Sequence, residues 1–219
     1  MLIICGHQWH TAKRPRSIRE YYYDKLLHVK TGESKNVAYP DSPYHYPYEP
    51  TPYDALDTLF TNYSIKAGSQ VVDFGCGKGR LNFYLHYFQE LAVKGIEMDQ
   101  DLLKGASDNL RSYLHNTKNQ QQPIEFINCL AEEYRIVPED TYFYFFNPFS
   151  IQIFRKVVDH ILVSVAETDR DAELILYYPD EKYIDFLESE TMFTLKQEII
   201  VPGLYDWDLD ERFLVYDLI

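Results

Sequence analysis

A short apolar run, Val71-Val72-Asp73-Phe74, passes directly into Gly75-Cys76-Gly77-Lys78-Gly79-Arg80. Glycine at every second position permits positive φ and removes the Cβ atoms that keep a ligand away from the backbone. The chain beyond, about 79–90, is predicted helical. A buried strand, a glycine-rich turn and a helix start make a ligand site at the carboxyl end of a strand, with unpaired N–H groups nearby. No other feature of the chain restricts its fold as much.

The flanking pattern extends this unit into a sheet. Val71–Phe74, Ala92–Ile96, Ile124–Ile127, Tyr142–Phe146 and Leu174–Tyr178 read as buried strands. Helices are predicted between them at about 100–115, 151–166 and 181–189. The first of these has Leu103, Ala106, Leu110, Tyr113 and Leu114 at helical spacing. Strands alternating with helices predict an α/β fold, a mostly parallel sheet with helices on both faces. The end departs from that rhythm. Thr194–Val201 and Arg212–Ile219 have no helix between them, which predicts a C-terminal antiparallel hairpin with Asp206, Asp208, Asp210 and Glu211 at its charged tip. Ahead of the glycine loop, Tyr53 to Phe60 predicts a helix with Thr51 as cap and Pro52 in its first position. Leu56, Leu59 and Phe60 then share one face.

The loop spacing selects among ligands. The dinucleotide fingerprint needs glycine at position 80, where Arg80 stands. The observed D-x-G-x-G-x-G resembles the first motif of the class I S-adenosylmethionine-dependent methyltransferases. Asp73, Gly75, Gly77 and Gly79 take the matching positions, with Phe74 and Cys76 between them. The resemblance implies a Rossmann-like, seven-stranded, mostly parallel sheet with the last strand inserted antiparallel, and S-adenosylmethionine as cofactor. It implies that the loop wraps the amino-acid part of the cofactor and that Asp73 meets the ammonium group, a charge-assisted pairing. Glu97 closes the next strand 18 residues after Gly79. It corresponds to the acid that accepts hydrogens from both ribose hydroxyls, with Met98 beside it. Asp99 is expected to cap the following helix. No acid follows Ile127 at once, so the adenine contact falls either to the side-chain carbonyl of Asn128 or to backbone groups around Leu130.

The fourth strand runs into Phe145-Phe146-Asn147-Pro148-Phe149-Ser150. This is similar to the Asp/Asn-Pro-Pro-aromatic motif of amino-group methyltransferases, one proline short. The similarity implies that carbonyls of Asn147 and Pro148 accept amine hydrogens and orient the nitrogen lone pair for in-line displacement. Phe149 is expected to stack on a planar substrate. Methyl transfer to nitrogen follows as the expected activity, on a nucleobase, a small molecule or a protein side chain. The alternative from another class is a catalytically silent cofactor-binding or scaffolding protein that uses its tyrosine-rich strap for a partner.

That strap belongs to a distinct amino-terminal part. Residues 38–53 hold five prolines and five tyrosines, which predicts extended chain. Residues 1–50 are read as an arm and strap, and residues 51–219 as the cofactor-binding domain. Tyr46, Tyr48 and Tyr53 are candidate substrate contacts, since tyrosine offers flat area with a polar tip. Seven Lys and Arg against three acids give residues 1–40 a net charge of +4, leaving −17 of the total −13 on the rest. Bulk nucleic-acid binding is disfavoured by that acidity. An RNA partner has one basic stretch to dock on, Lys13, Arg14, Arg16 and Arg19. The cysteines Cys5, Cys76 and Cys129 show no metal spacing and read as free thiols of a reducing cytoplasm. His7 and His10 form no recognised ligand pattern, so no metal is expected, and no apolar run reaches the length of a membrane span.

Overall fold

The computed structural model describes residues 18–32, 48–117 and 122–218. Seven strands form one sheet: β1 (Gln70–Phe74), β2 (Ala92–Glu97), β3 (Ile124–Asn128), β4 (Asp140–Phe145), β5 (Glu173–Tyr177), β6 (Phe193–Ile200) and β7 (Arg212–Leu218). Their order is β3-β2-β1-β4-β5-β7-β6. The first five are parallel, and β7 enters antiparallel between β5 and β6. The expected mostly parallel sheet and closing hairpin are therefore both present. The chain reverses its direction of winding between β1 and β4, and crevices at such a switch point open at the carboxyl ends of the strands.

Helices α1 (Ile18–Leu26), α2 (Tyr53–Asn62), α3 (Arg80–Tyr84), α4 (Gln100–Asn116), α5 (Ile151–Glu167) and α6 (Glu181–Glu190) surround the sheet. Alternation along each strand divides the core in two. Val71, Val93, Tyr142, Ile175 and Val215 face Leu56, Leu59, Leu81 and Tyr113 on one side. Val72, Ile96, Phe143, Leu174 and Leu214 face Phe154, Val158, Ile161 and Leu187 on the other. These strands read as continuous apolar runs because both of their faces are covered.

Local chemistry explains several element ends and corrects others. Asp99 caps α4, its Oδ1 accepting from the amides of Asp101 and Leu102 at 2.8 Å each. Thr51 does not cap α2. Its hydroxyl lies 2.7 Å from the Tyr144 hydroxyl in the core, and Pro52 holds the cap position without a side-chain bond. The helix expected over 79–90 is α-helical only to Tyr84. It continues as a π-turn over Leu85–Gln89, closed by Glu90 at φ 53°. Helix α1 lies within the part read as the arm.

The amino edge of the sheet is tied at Asp140, which is fully buried. Its carboxylate accepts from Gln70 Nε2 at 2.5 Å, Tyr134 Oη at 2.9 Å, the Val137 amide at 2.9 Å and Lys94 Nζ at 3.2 Å. β1, β2 and β4 thus meet on one acid. Replacing Asp140 by Ala strands a half-buried lysine and three polar hydrogens. Urea unfolding of D140A should show a loss of about 3–5 kcal/mol, and a loss under 1 kcal/mol would remove Asp140 from that role.

Candidate functional site

The glycine loop leaves β1 and folds back over the end of β2. The amides of Gly75 and Cys76 both donate to the Ile96 carbonyl, at 2.9 and 3.1 Å. Gly75, Gly77 and Gly79 all have positive φ, at 78°, 55° and 82°. All three also leave no room for a side chain, a Cβ on Gly79 standing 2.5 Å from Phe126 Cζ. A Cβ on Gly75 would stand 2.7 Å from Pro148 Cβ, and one on Gly77 would collide with the ring of Tyr48. The loop is therefore pressed between the chain after β4 and a segment from the amino-terminal part.

Two carboxylates lie beneath it. Glu97 accepts from the Gly77 amide through Oε2 at 2.9 Å and from the Asp99 amide through Oε1 at 2.8 Å. Burial pushes its carboxyl above the ordinary range, against the pull of those amides. Asp73 is more isolated. Burial first, and the nearby Glu97 second, hold its carboxyl well above the ordinary range, with no cation contributing. With its amide turned to suit its neighbours, Asn82 donates to Asp73 Oδ2 at 3.0 Å. A buried acid offset by no positive charge is suited to a cationic ligand group. Cys76, between the glycines, is a buried thiol raised well above its usual range by burial and these two acids.

At the end of β2, Met98 is half-buried. Asn128 closes β3 and spends its Nδ2 on the carbonyls of Glu97 and Met98, at 2.8 and 3.0 Å. Leu130 is exposed at the same edge.

Across the switch point, Asn147 follows β4 with φ 38°. It is 9% exposed, and its buried Oδ1 accepts no hydrogen bond among the described residues. Positive φ in a residue other than glycine marks a strained position. Pro148, through its packing on Gly75, brings this acceptor beside the glycine loop. Phe149 does not match its expected role. Its ring is buried against Phe145 at 6.2 Å between centroids, and its carbonyl accepts from the Tyr183 hydroxyl. The ring is 4% exposed and packs in the core on the Phe145 side of the sheet.

The tyrosine candidates also separate. Tyr46 lies outside the described residues, as do Lys13, Arg14 and Arg16. Tyr53 is fully buried, stacked on Tyr23 at 4.6 Å with its hydroxyl on Asp24 at 2.9 Å. Tyr48 rests on the glycine loop. Arg19 pairs with Asp54 of α2.

Three features were missed. Ser150 Oγ, three residues after Asn147, is a buried hydroxyl with no hydrogen-bond partner among the described residues. Tyr178 follows β5 at φ 51°, and its hydroxyl donates to Asp208 of the hairpin loop at 2.7 Å. Arg80 is 4% exposed and joins the loop to the amino-terminal part. Its only signal was its place, directly after the third glycine. Among the described residues no cluster of three or more His, Cys, Asp or Glu is arranged to hold a metal, and no helix is long and apolar enough to cross a membrane.

The family described as "Methionine biosynthesis protein MetW" matches residues 56–109. No curated protein matches the chain. Among solved structures, an RNA methyltransferase from Salinibacter ruber in complex with S-adenosyl-L-homocysteine aligns with TM-score 0.55 and 17% identity, over 78% of this chain and 92% of its own. The tRNA (uracil-54, C5)-methyltransferase of Pyrococcus abyssi aligns with TM-score 0.53 and 14% identity over 82% of this chain, which spans only 41% of that longer protein. The [4+2]-cyclase SpnF aligns with TM-score 0.56 and 11% identity over 91% of this chain and 94% of its own. The chain has the fold of the class I S-adenosylmethionine-dependent methyltransferases, a fold that also carries a cyclase.

The raised carboxyl of Asp73 has a consequence for stability. A group that holds its proton more tightly when folded stabilises the fold fully below its unfolded value. That contribution drains away as pH climbs through the folded value. Removing the charge should therefore help most at neutral and alkaline pH. Thermal denaturation of Asp73→Asn should give a higher Tm than the parent at pH 8, with the gap closing below about pH 4. A lower Tm at pH 8 would contradict this.

Proposed function

We propose that this protein is an S-adenosylmethionine-dependent methyltransferase acting on a nitrogen, working in the cytoplasm. The observation that carries the reading is the contact of Pro148 with Gly75. It sets a buried, unpartnered amide oxygen on Asn147 directly beside a glycine loop underlain by Asp73 and Glu97. When bound, the cofactor supplies an activated methyl group on a sulfonium centre. The neighbours described as complexes with S-adenosyl-L-homocysteine support that assignment.

The residues divide the work by chemistry. Asp73 faces the ammonium group, which favours its ionised form and offsets its burial. Glu97 has lone pairs beyond those given to the Gly77 and Asp99 amides, and these accept from ribose hydroxyls. Phe74, Cys76 and Gly79 shape the loop, while Met98, Asn128 and Leu130 line the edge assigned to the base. Asn147 Oδ1 accepts a hydrogen from the substrate amine and turns the nitrogen lone pair toward the methyl. A neutral amine then needs no strong base.

The surroundings favour an amine over a phosphate-rich substrate. The hairpin loop beside Tyr178 carries Asp206, Asp208 and Asp210 and no Lys or Arg between positions 201 and 211. Of the basic residues assigned to RNA, Arg19 is spent on Asp54. RNA remains open through the stretch before it.

Titration calorimetry with S-adenosylhomocysteine is the direct test, and absence of heat or thermal shift at millimolar ligand would refute the cofactor. Loss of one charge-assisted bond, about 1.5–3 kcal/mol, should weaken binding to D73N by roughly 10- to 100-fold. Tritiated cofactor incubated with RNA, protein and metabolite fractions would identify the acceptor. With that acceptor, Asn147→Ala should lower kcat about 100-fold and leave the cofactor Kd unchanged. Undiminished turnover would take Asn147 out of the reaction.

A further inference from the structure

The glycine loop is held from outside by two amino-terminal legs, residues 18–32 and 48–52. Arg80 binds both. Its guanidinium pairs with Glu20, donates to Thr31 Oγ1 at 2.8 Å and to the Thr51 carbonyl at 3.1 Å, and lies 4.4 Å over the Tyr53 ring. Lys78 donates to the Gly32 carbonyl at 3.3 Å, and its ammonium sits 5.6 Å over the Tyr48 ring. Asn109 of α4 completes the set. It accepts from the Lys30 amide at 2.8 Å and donates to the carbonyls of Lys30 and Lys78 at 3.3 and 3.1 Å. Both cations that follow the glycines in sequence are thus engaged by the legs.

Tyr48 is the point where the legs touch the loop itself. Its ring lies on Gly77, where any Cβ would collide, and its hydroxyl donates to the Thr31 carbonyl at 2.7 Å, bridging one leg to the other. Gly77 is the residue whose amide is bound by Glu97. A shift of Tyr48 is therefore transmitted to the loop and to the acid assigned to the ribose.

We propose that Tyr48 is a positioning residue for the cofactor rather than a substrate contact. It clamps the glycine loop in its binding form and sets the rate at which the cofactor and its product leave. This rests on the methyltransferase reading above. The ring supplies most of the clamp by packing on Gly77, and the hydroxyl bond to Thr31 a smaller share.

Stopped-flow displacement and calorimetry with S-adenosylhomocysteine test this on the full chain. Tyr48→Ala should raise the dissociation rate tenfold or more, and Tyr48→Phe by no more than about threefold, both with Tm within a few degrees of the parent. An unchanged rate in Tyr48→Ala overturns the proposal. Tighter binding by Tyr48→Ala also overturns it, since the ring would then occupy the ligand's own space. Hydrogen exchange on the unmutated protein gives a second measure. Ligand should protect peptides covering 48–52 along with the glycine loop, and protection confined to the loop would count against the clamp. If the parent protein takes up no S-adenosylhomocysteine at all, the cofactor assignment falls, and this proposal with it. A parent that binds while Tyr48→Ala releases normally removes the clamp alone.

Discussion

The placement of two acids at adjacent strand ends governs the rest of this molecule. Asp73 and Glu97 are both buried, and neither is paired with a lysine or arginine among the described residues. Burying a carboxylate without compensation is costly, so the chain around them is arranged to supply dipoles. Gly77 and Asp99 turn their amides toward Glu97, which forces the loop to fold back over β2. Gly75 and Cys76 then reach the Ile96 carbonyl, and the tight path excludes side chains at the glycines. Asp73 is left with an amide alone. Asp73 is thus a buried carboxyl with little compensation, at the place proposed for the cofactor's ammonium group.

What was legible in the sequence was local. The strand–glycine–helix unit, the Asp99 cap and the closing hairpin each depend on residues a few positions apart. The strands showed as apolar runs because both faces are covered. What was hidden depends on distant partners. Thr51 has the chemistry of a cap, but Tyr144, far along the chain, captures its hydroxyl. Phe149 has the look of a stacking residue, yet the pocket beside Phe145 takes its ring. Arg80 broke a dinucleotide pattern and was read only as an absence of glycine. Its role needs Glu20, Thr31 and Thr51, which no spacing rule connects. Asn147 and Asp73 stood out because a strand end fixes where its next residues go.

The abundance of tyrosine has a physical explanation in the same acidity. Tyr23 and Tyr84 share Asp57, Tyr53 holds Asp24, and Tyr63 holds Glu173. Tyr134 donates to Asp140, Tyr177 to Glu211, Tyr178 to Asp208 and Tyr216 to Glu188. A chain with 34 acids and 21 basic residues has too few cations to pair every acid at its core boundary. A phenol provides a donor on an apolar ring, so it satisfies a carboxylate without introducing a second charge to desolvate. Burial and its bond to Asp57 push the Tyr23 phenol up to about 12, which keeps the donor protonated at any physiological pH.

The engagement of Arg80 by the two legs sets an order on the birth of the molecule. Thr31 is made 49 residues before the guanidinium that binds it, and Thr51 is made 29 residues before. At ribosomal speeds the first leg waits on the order of seconds for its anchor. During that interval Glu20 lacks the guanidinium it pairs with in the folded chain. The amino-terminal part therefore reaches its place after the first strand and its loop have emerged. An element translated early thus completes its contacts only once the glycine loop has been made.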